Sequence, residues 1–191
     1  LLNDGNGVFG PRTDFGIGKS AFALALVDVT EDGKPEVLAA NGSDDSVSVL
    51  LNVGGGEFAS RSDYPLGTYA EGVTSGDLNG DGKPDLAVAK WYDSTVGVLI
   101  NDGTGKLAAA VDYAVGSAPK AVEAADLNGD GKLDLVVANY YSDSVSVLLN
   151  AGDGTYGPSV PYPTAMGPYA VAAADLNGDG KQDLGVIGYY G

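Results

Sequence analysis

The chain of 191 residues contains no histidine and no cysteine. Without these residue types it has no Ser–His or Cys–His nucleophile, no zinc finger and no disulfide bond. The absence of cysteine also leaves the redox compartment unassigned. Any catalysis would have to rest on carboxylates, and no residue of the sequence stands out as catalytic.

Basic residues are scarce. The chain has 10 Lys and Arg but 26 Asp and Glu, so its net charge is −16. Such a surface repels nucleic acids and anionic membranes but favours a metal cation, so we expect no nucleic-acid partner. No apolar run approaches the roughly 20 residues that cross a bilayer, so we expect no membrane insertion. The chain opens on Leu1, Leu2 and Asn3 without the features of a signal peptide. We therefore expect any secretion signal to have been removed or to lie outside this sequence.

The abundant residues are small: the chain has 30 Gly and 9 Pro beside a hydrophobic content of 44%. This composition predicts short segments joined by tight turns, and hence an all-β fold. Four similar segments begin at aspartates whose spacings, 77−28, 126−77 and 175−126, all equal 49; they are Asp28, Asp77, Asp126 and Asp175. The constant spacing predicts four units that share one backbone path.

In the third unit, apolar and β-branched runs predict strands at 121–126, 133–139, 145–150 and, more weakly, 156–162. Four antiparallel strands per unit at a period near 50 residues are typical of a propeller blade. We predict a single β-propeller domain, or a section of one, over 1–191, with four-stranded antiparallel blades and four 49-residue repeats. Either the N-terminal strands complete the last blade in a closed ring, or further blades or a second copy extend the array. The longer propeller is favoured, because four blades is the lower end of the usual range of roughly 4 to 8.

Three acidic loops, at 77–85, 126–134 and 175–183, read DLNGDGKPD, DLNGDGKLD and DLNGDGKQD. Oxygen ligands at positions 1, 3 and 5 with glycine at position 6 match the first half of an EF-hand loop, although a strand follows here and position 12 has no Glu. This donor set, with no nitrogen or sulfur, favours Ca²⁺ over transition metals and Mg²⁺. The predicted ligands, each lysine offering its backbone carbonyl while its ammonium points into solvent, are Asp77, Asn79, Asp81, Lys83 and Asp85; Asp126, Asn128, Asp130, Lys132 and Asp134; and Asp175, Asn177, Asp179, Lys181 and Asp183.

The first loop, 28–36, departs from this pattern and reads DVTEDGKPE. We expect a fourth, weaker Ca²⁺ site there, formed by Asp28, Thr30, Asp32, the Lys34 carbonyl and Glu36. The alternative for all four loops is a polar turn without metal. Three nearly identical copies argue against it, since a plain turn does not need four oxygens at alternating positions.

These motifs resemble those of the FG-GAP or VCBS repeat family, the blades of integrin alpha-subunit propellers and of many bacterial secreted proteins. The similarity spans essentially the whole chain and includes the DxNGDGxxD loops, Phe9-Gly10, Tyr156-Gly157 and the Gly-x-Ala-Pro segment at 116–119. The resemblance implies a propeller, commonly seven-bladed, with Ca²⁺ between strands one and two. It implies no particular substrate, because such blades occur in adhesins, in lectins and as modules of enzymes.

Aromatic residues cluster in the loop after strand two and in the connections between units. In a blade, these segments lie on the face opposite the calcium loops. Rings with a polar group on that face favour stacking on sugars or binding of a protein, and the alternative is that they pack between blades. The candidate ligand-binding residues are Trp91, Tyr92, Tyr140, Tyr141, Tyr189, Tyr190, Tyr69 and Tyr169.

The sequence thus predicts a secreted or cell-surface binding module, stabilised by calcium and without catalytic activity. Its expected partner is a carbohydrate or an extracellular protein. One alternative is the propeller part of a polysaccharide lyase or glycosidase, since carboxylates remain outside the calcium loops. Another is a purely structural spacer in a surface protein.

Overall fold

The structure is a computed structural model that describes residues 1–59 and 61–189. Within these ranges the secondary structure consists of strands, bridges, turns and bends, without a helix. The described residues therefore contain no helix that could cross a membrane. The all-β prediction is confirmed.

The first sheet shows the plan of the repeat unit. Its strands, in the spatial order in which they pair, are β1 (Ala21–Val27), β2 (Glu36–Asn41), β3 (Ser46–Leu50) and β6 (Ser62–Pro65). Neighbouring strands are antiparallel. Between β3 and β6 the chain makes a small hairpin from β4 (Asn52–Gly54) and β5 (Glu57–Phe58).

Two further units follow the same plan, and the first two strands of a fourth are present. The second sheet contains β7 (Ala70–Gly76), β8 (Asp85–Lys90), β9 (Thr95–Leu99) and β10 (Val111–Ala114). The third contains β11 (Pro119–Ala125), β12 (Asp134–Asn139), β13 (Ser144–Leu148) and β14 (Val160–Pro163). The fourth is described as the pair β15 (Pro168–Ala174) and β16 (Asp183–Gly188).

The first strands of successive units, β1, β7, β11 and β15, pack side by side. The second strands of the first three sheets are covered on both faces, so almost every residue of β2, β8 and β12 is buried. For β8 and β12 this explains the nearly unbroken apolar runs, since alternate residues of each strand pack into clusters shared with the sheets on either side. Leu38, Leu86 and Leu135 are fully buried there and form the centre of the core.

The last strand of the third unit differs from the prediction. It begins at Val160 instead of near residue 156, because Tyr156 forms an isolated antiparallel bridge with Asn150 that closes the glycine-rich turn. Asn101 and Leu107 make the same bridge in the second unit. A small hairpin therefore separates the third and fourth strands of each of these sheets.

Candidate metal loops and aromatic face

Each acidic loop connects the first and second strands of its unit, and its leading aspartate organises the turn. Asp77 accepts backbone N–H bonds from Gly80 at 2.7 Å, Asp81 at 3.1 Å and Gly82 at 2.8 Å. Asp126 and Asp175 accept the corresponding bonds in their loops. These bonds, led by the one from Gly131, hold the pKa of Asp126 below its ordinary value. The carboxylate therefore stays ionised, as a cation ligand must be.

The side chains at positions 3 and 5 also turn into the loop. The Asn79 carbonyl oxygen accepts the N–H of Asp81 at 2.8 Å, and the Asp81 carboxylate accepts the N–H of Lys83 at 2.9 Å. The third and fourth loops repeat both bonds. In the second, third and fourth loops, side-chain oxygens at positions 1, 3 and 5 thus all accept backbone N–H bonds of the turn.

The last acid of the second loop is fully buried. Asp85 accepts the N–H of Leu78 at 3.1 Å and the N–H of Asn101 at 2.8 Å. Burial raises its pKa, although these two hydrogen bonds act in the opposite direction. Asp134 makes the equivalent bonds in the third unit. This carboxylate therefore ties its loop to the end of the third strand.

The first loop, predicted to be the weakest site, brings carboxylates closest together. Oxygens of Asp28, Asp32 and Glu36 lie within 4.8 Å of one another, and no other three acidic side chains in residues 1–59 and 61–189 meet in this way. The Thr30 hydroxyl lies 3.5 Å from Asp28 and donates to it. Glu31 has φ +58°, where the second loop has Gly80 at φ +79°.

Lys83 and Lys132 correct one expectation, because their ammonium groups do not simply point into solvent, and the ammonium of Lys34 is bound as well. Lys34 lies 2.7 Å from Asp32, and this contact lowers the pKa of Asp32. Lys83 donates to the carbonyl of Asp102 at 3.0 Å, and Lys132 to that of Ala151 at 3.1 Å. The ammonium groups of these three lysines therefore interact with oxygens of their own loop or of the hairpin of the same unit.

The donors of the four loops fit a calcium ion. They are carboxylate, amide and hydroxyl oxygens, and an ionised carboxylate has about four lone-pair sites, so one remains free even on Asp77, which accepts three N–H bonds. The side chains of positions 1, 3, 5 and 9 and the backbone carbonyl of position 7 would hold the ion. When bound, the ion would offset the repulsion between the carboxylates and stiffen the turn.

The aromatic residues lie at the other end of the second strands. Trp91 contacts the rings of Tyr140 and Tyr141 at centroid distances of 5.7 and 5.3 Å. Tyr140 also contacts Tyr189 at 6.2 Å. Rings from the loops after β8, β12 and β16 therefore form one aromatic face across three units.

The connections between units extend this aromatic face. Tyr69 contacts Tyr92 at 5.3 Å, and Tyr169 contacts Tyr189 at 6.3 Å. Phe22 of β1, absent from the sequence prediction, contacts Tyr69 at 5.4 Å. The constant spacing could have predicted this contribution, because Phe22 occupies the repeat position of Tyr169 (169−22 = 3×49). The predicted Tyr190 lies outside the described residues.

The aromatic side chains differ in burial. Trp91 and Tyr140 are partly covered by their neighbours, whereas Tyr92 and Tyr141 are 72% and 68% exposed. Packing between units and exposure to a ligand therefore both occur on this face.

A cavity of about 570 Å³ lies between the second and third units, lined by Tyr69, Glu71, Trp91, Tyr92, Ser94, Ser117, Ala118, Lys120 and Tyr141.

Repeated antiparallel sheets with acidic loops at one end and aromatic loops at the other define a propeller-like repeat protein. The chain belongs to the FG-GAP-like repeat family, whose model matches residues 28–88, 77–137 and 126–186. No curated protein sequence matches.

Solved structures agree with this fold. An Agrocybe aegerita lectin that recognises non-reducing terminal N-acetylglucosamine is 26% identical, with a TM-score of 0.58 over 83% of this chain and 44% of the lectin. BBS1N, solved in complex with ARL6DN, is 18% identical over 90% of this chain and 52% of its own, with a TM-score of 0.63. The V. cholerae biofilm matrix protein Bap1 is 20% identical over 86% of this chain and 23% of its own, with a TM-score of 0.55. The chain thus spans about half of these proteins or less, and the last two show the fold alone.

Proposed function

We propose that this chain is a carbohydrate-binding module of the β-propeller type, stabilised by calcium, that binds its ligand on the aromatic face. The cavity between the second and third units is the observation that supports this most. It combines the rings of Tyr69, Trp91, Tyr92 and Tyr141 with a few polar groups, the composition that stacks on sugar rings and orients hydroxyl groups. The likeness to a lectin at 26% identity favours a sugar over a protein ligand.

The proposed module is not an enzyme. Hydrolysis of glycosides generally uses two carboxyl groups that flank the scissile bond. Among the described residues that line the cavity, Glu71 is the single carboxylate, and Lys120 binds it at 2.9 Å. This arrangement supports binding without chemistry.

Further blades are proposed to continue the array. Leu24 on β1 is 66% exposed, whereas Val122 and Val171, at the same position of the third and fourth units, are 6% and 9% exposed. These valines pack within clusters that include residues of the preceding sheet. A further blade or a second copy would cover Leu24 in the same manner. The mass and particle shape of the intact protein in solution test this proposal.

A glycan-array screen tests the proposed ligand. We expect the protein to bind glycans, and Tyr92→Ala and Tyr141→Ala to weaken binding about tenfold or more, since each removes a stacking ring. Both side chains are largely exposed, so the melting temperature should not change. The matched control is Tyr162→Ala, an exposed tyrosine on the outer strand β14. Normal binding by both face variants, or no glycan binding by the parent protein, would contradict the proposal.

The calcium part of the proposal has its own test. At a free Ca²⁺ concentration near 100 times Kd, one site adds about 2.7 kcal/mol to the free energy of unfolding. For a chain of this length that corresponds to a rise of roughly 5 to 10 °C in melting temperature, and excess EGTA should abolish it. Mg²⁺ at the same concentration controls for ionic strength. An identical melting temperature with Ca²⁺ and with EGTA would exclude a structural calcium ion.

Exposed loops of this kind suit the millimolar calcium of an extracellular location, which we also propose.

A further inference from the structure

One position of the repeat places four different side chains around a single point. These residues, the second of each first strand, are Phe22 on β1, Glu71 on β7, Lys120 on β11 and Tyr169 on β15. We call them the axial cluster. The ammonium of Lys120 donates to Glu71 at 2.9 Å and lies 5.6 and 4.9 Å from the ring centroids of Phe22 and Tyr169. All four units therefore meet at one ammonium group.

The axial cluster makes one site out of a repeated fold. Positions that build the loops and the core are similar in all units, but this position holds an aromatic, an acid, a base and a second aromatic. Four similar residues here would give four equivalent surfaces, whereas four different ones give a single asymmetric surface. Trp91, whose ring centroid lies 5.1 Å from the Lys120 ammonium, connects this cluster to the aromatic face.

The ion pair in the cluster is mostly withdrawn from water. The side chains of Lys120 and Glu71 are 16% and 7% exposed. A charge at such depth is stable when it is paired, and here each charge has the other as its partner, with rings around the ammonium. Both residues also line the 570 Å³ cavity.

The charges that line the cavity therefore cancel. Among the described residues around it, Glu71 and Lys120 are the charged ones. An anionic sugar gains no net attraction from this pair and is repelled by the net charge of −16. A cationic amino sugar finds no free carboxylate in the cavity, because the Glu71 carboxylate is already paired with Lys120 at 2.9 Å. Neutral sugars need no counter-charge in the cavity, because stacking rings and hydrogen bonds are enough to bind them.

We propose that the Glu71–Lys120 pair determines ligand specificity and restricts the cavity to neutral glycans, including N-acetylated ones. This inference rests on the proposed carbohydrate-binding function. It leads to opposite expectations for the two single variants. Lys120→Met exposes an unpaired carboxylate and should admit amino sugars, whereas Glu71→Gln leaves an unpaired ammonium and should admit uronic acids.

The experiment compares one glycan array, sorted by charge, for the parent protein and both single variants. Affinities are then measured through the fluorescence of Trp91, the single tryptophan of the chain. The soluble probes are tetramers of N-acetylglucosamine, glucosamine and galacturonic acid, at about pH 6, where amines and carboxylates are charged. We expect Lys120→Met to raise glucosamine affinity about tenfold or more, and Glu71→Gln to do so for galacturonate.

Two controls keep the test independent of folding and of net charge. The double variant Lys120→Met with Glu71→Gln has no charge in the cavity and should again select neutral glycans. Lys106→Met changes the net charge by the same amount as Lys120→Met, but at an exposed hairpin position, and should leave selectivity unaltered. A parent protein that prefers charged glycans, or single variants that keep its charge preference, would overturn the specificity role while leaving carbohydrate binding intact. No glycan binding by the parent protein would overturn the proposed function as well.

Discussion

At the scale of single residues, the first acidic loop contains a backbone conflict that the other loops avoid. Glu31 adopts φ +58°, whereas Gly80, Gly129 and Gly178 occupy this position in the other loops with φ of +79°, +76° and +81°. A residue with a side chain loses roughly 1 to 2 kcal/mol in this left-handed region. Glycine avoids that cost, although its greater conformational freedom in the unfolded chain lowers the free energy of unfolding by roughly 0.5 to 1 kcal/mol.

We therefore expect Glu31→Gly to stabilise the protein by about 0.5 to 1 kcal/mol, measured by denaturant unfolding. Glu31→Gln removes the charge but keeps the side chain, and so separates electrostatic relief from backbone relief. The reverse change, Gly129→Ala, has no atom within 4 Å of the added Cβ, so its cost is purely conformational and should be about 1 kcal/mol. A less stable Glu31→Gly variant would show that the turn does not strain Glu31.

The aromatic residues of the face show what residue patterns could and could not reveal. The repeat position of Trp91 and Tyr140 predicted that their loops lie together, and the ring contacts bear out that grouping. Phe22 was missed because it stands alone in an apolar run. The partners of Lys120 were missed because they come from three other units, and no spacing within one unit specifies a contact between units.

At the scale of elements, the hairpins that follow β9 and β13 link their units to the preceding unit. The buried Asn101 side chain donates to Pro84 of its own unit at 3.1 Å and to Val29, in the acidic loop of the preceding unit, at 2.8 Å. Asn150 repeats this link by donating to Leu78 at 2.9 Å. The acidic loops are therefore connected to one another through these hairpins.

Asn52 offers a matched control, because it occupies the same repeat position but donates to Pro35 of its own unit at 3.0 Å, in a more exposed setting. We expect Asn101→Ala to lower the free energy of unfolding by about 2 to 3 kcal/mol, since it leaves buried carbonyls unpaired. Asn52→Ala should cost about 1 kcal/mol. Equal losses in denaturant unfolding would show that the link between units adds nothing.

Strand positions were largely predictable from apolar runs and turns, but their ends were not. The fourth strand of the third unit begins later than expected because Tyr156 is held in a bridge to Asn150. The constant spacing did identify Asn101 and Asn150 as equivalent residues. Their acceptors, 72 residues earlier in the chain, depend on how the sheets pack, which periodicity alone does not determine.

At the scale of the whole molecule, the two kinds of loop are separated along the second strands. Asp85 stands at one end of β8, and Trp91 follows its other end. Six residues of extended chain span roughly 20 Å, so a ligand on the aromatic face does not contact an ion in the acidic loops. The proposed stabilisation by calcium and the proposed recognition of a ligand thus lie on opposite faces.

A crystal structure of the protein with calcium and its best-binding glycan tests this division most directly. We predict the sugar in the cavity between the second and third units, stacked on Trp91, Tyr92 or Tyr141, with calcium in the acidic loops roughly 20 Å away. A sugar bound to calcium in an acidic loop, or on a surface away from the aromatic residues, would contradict the account.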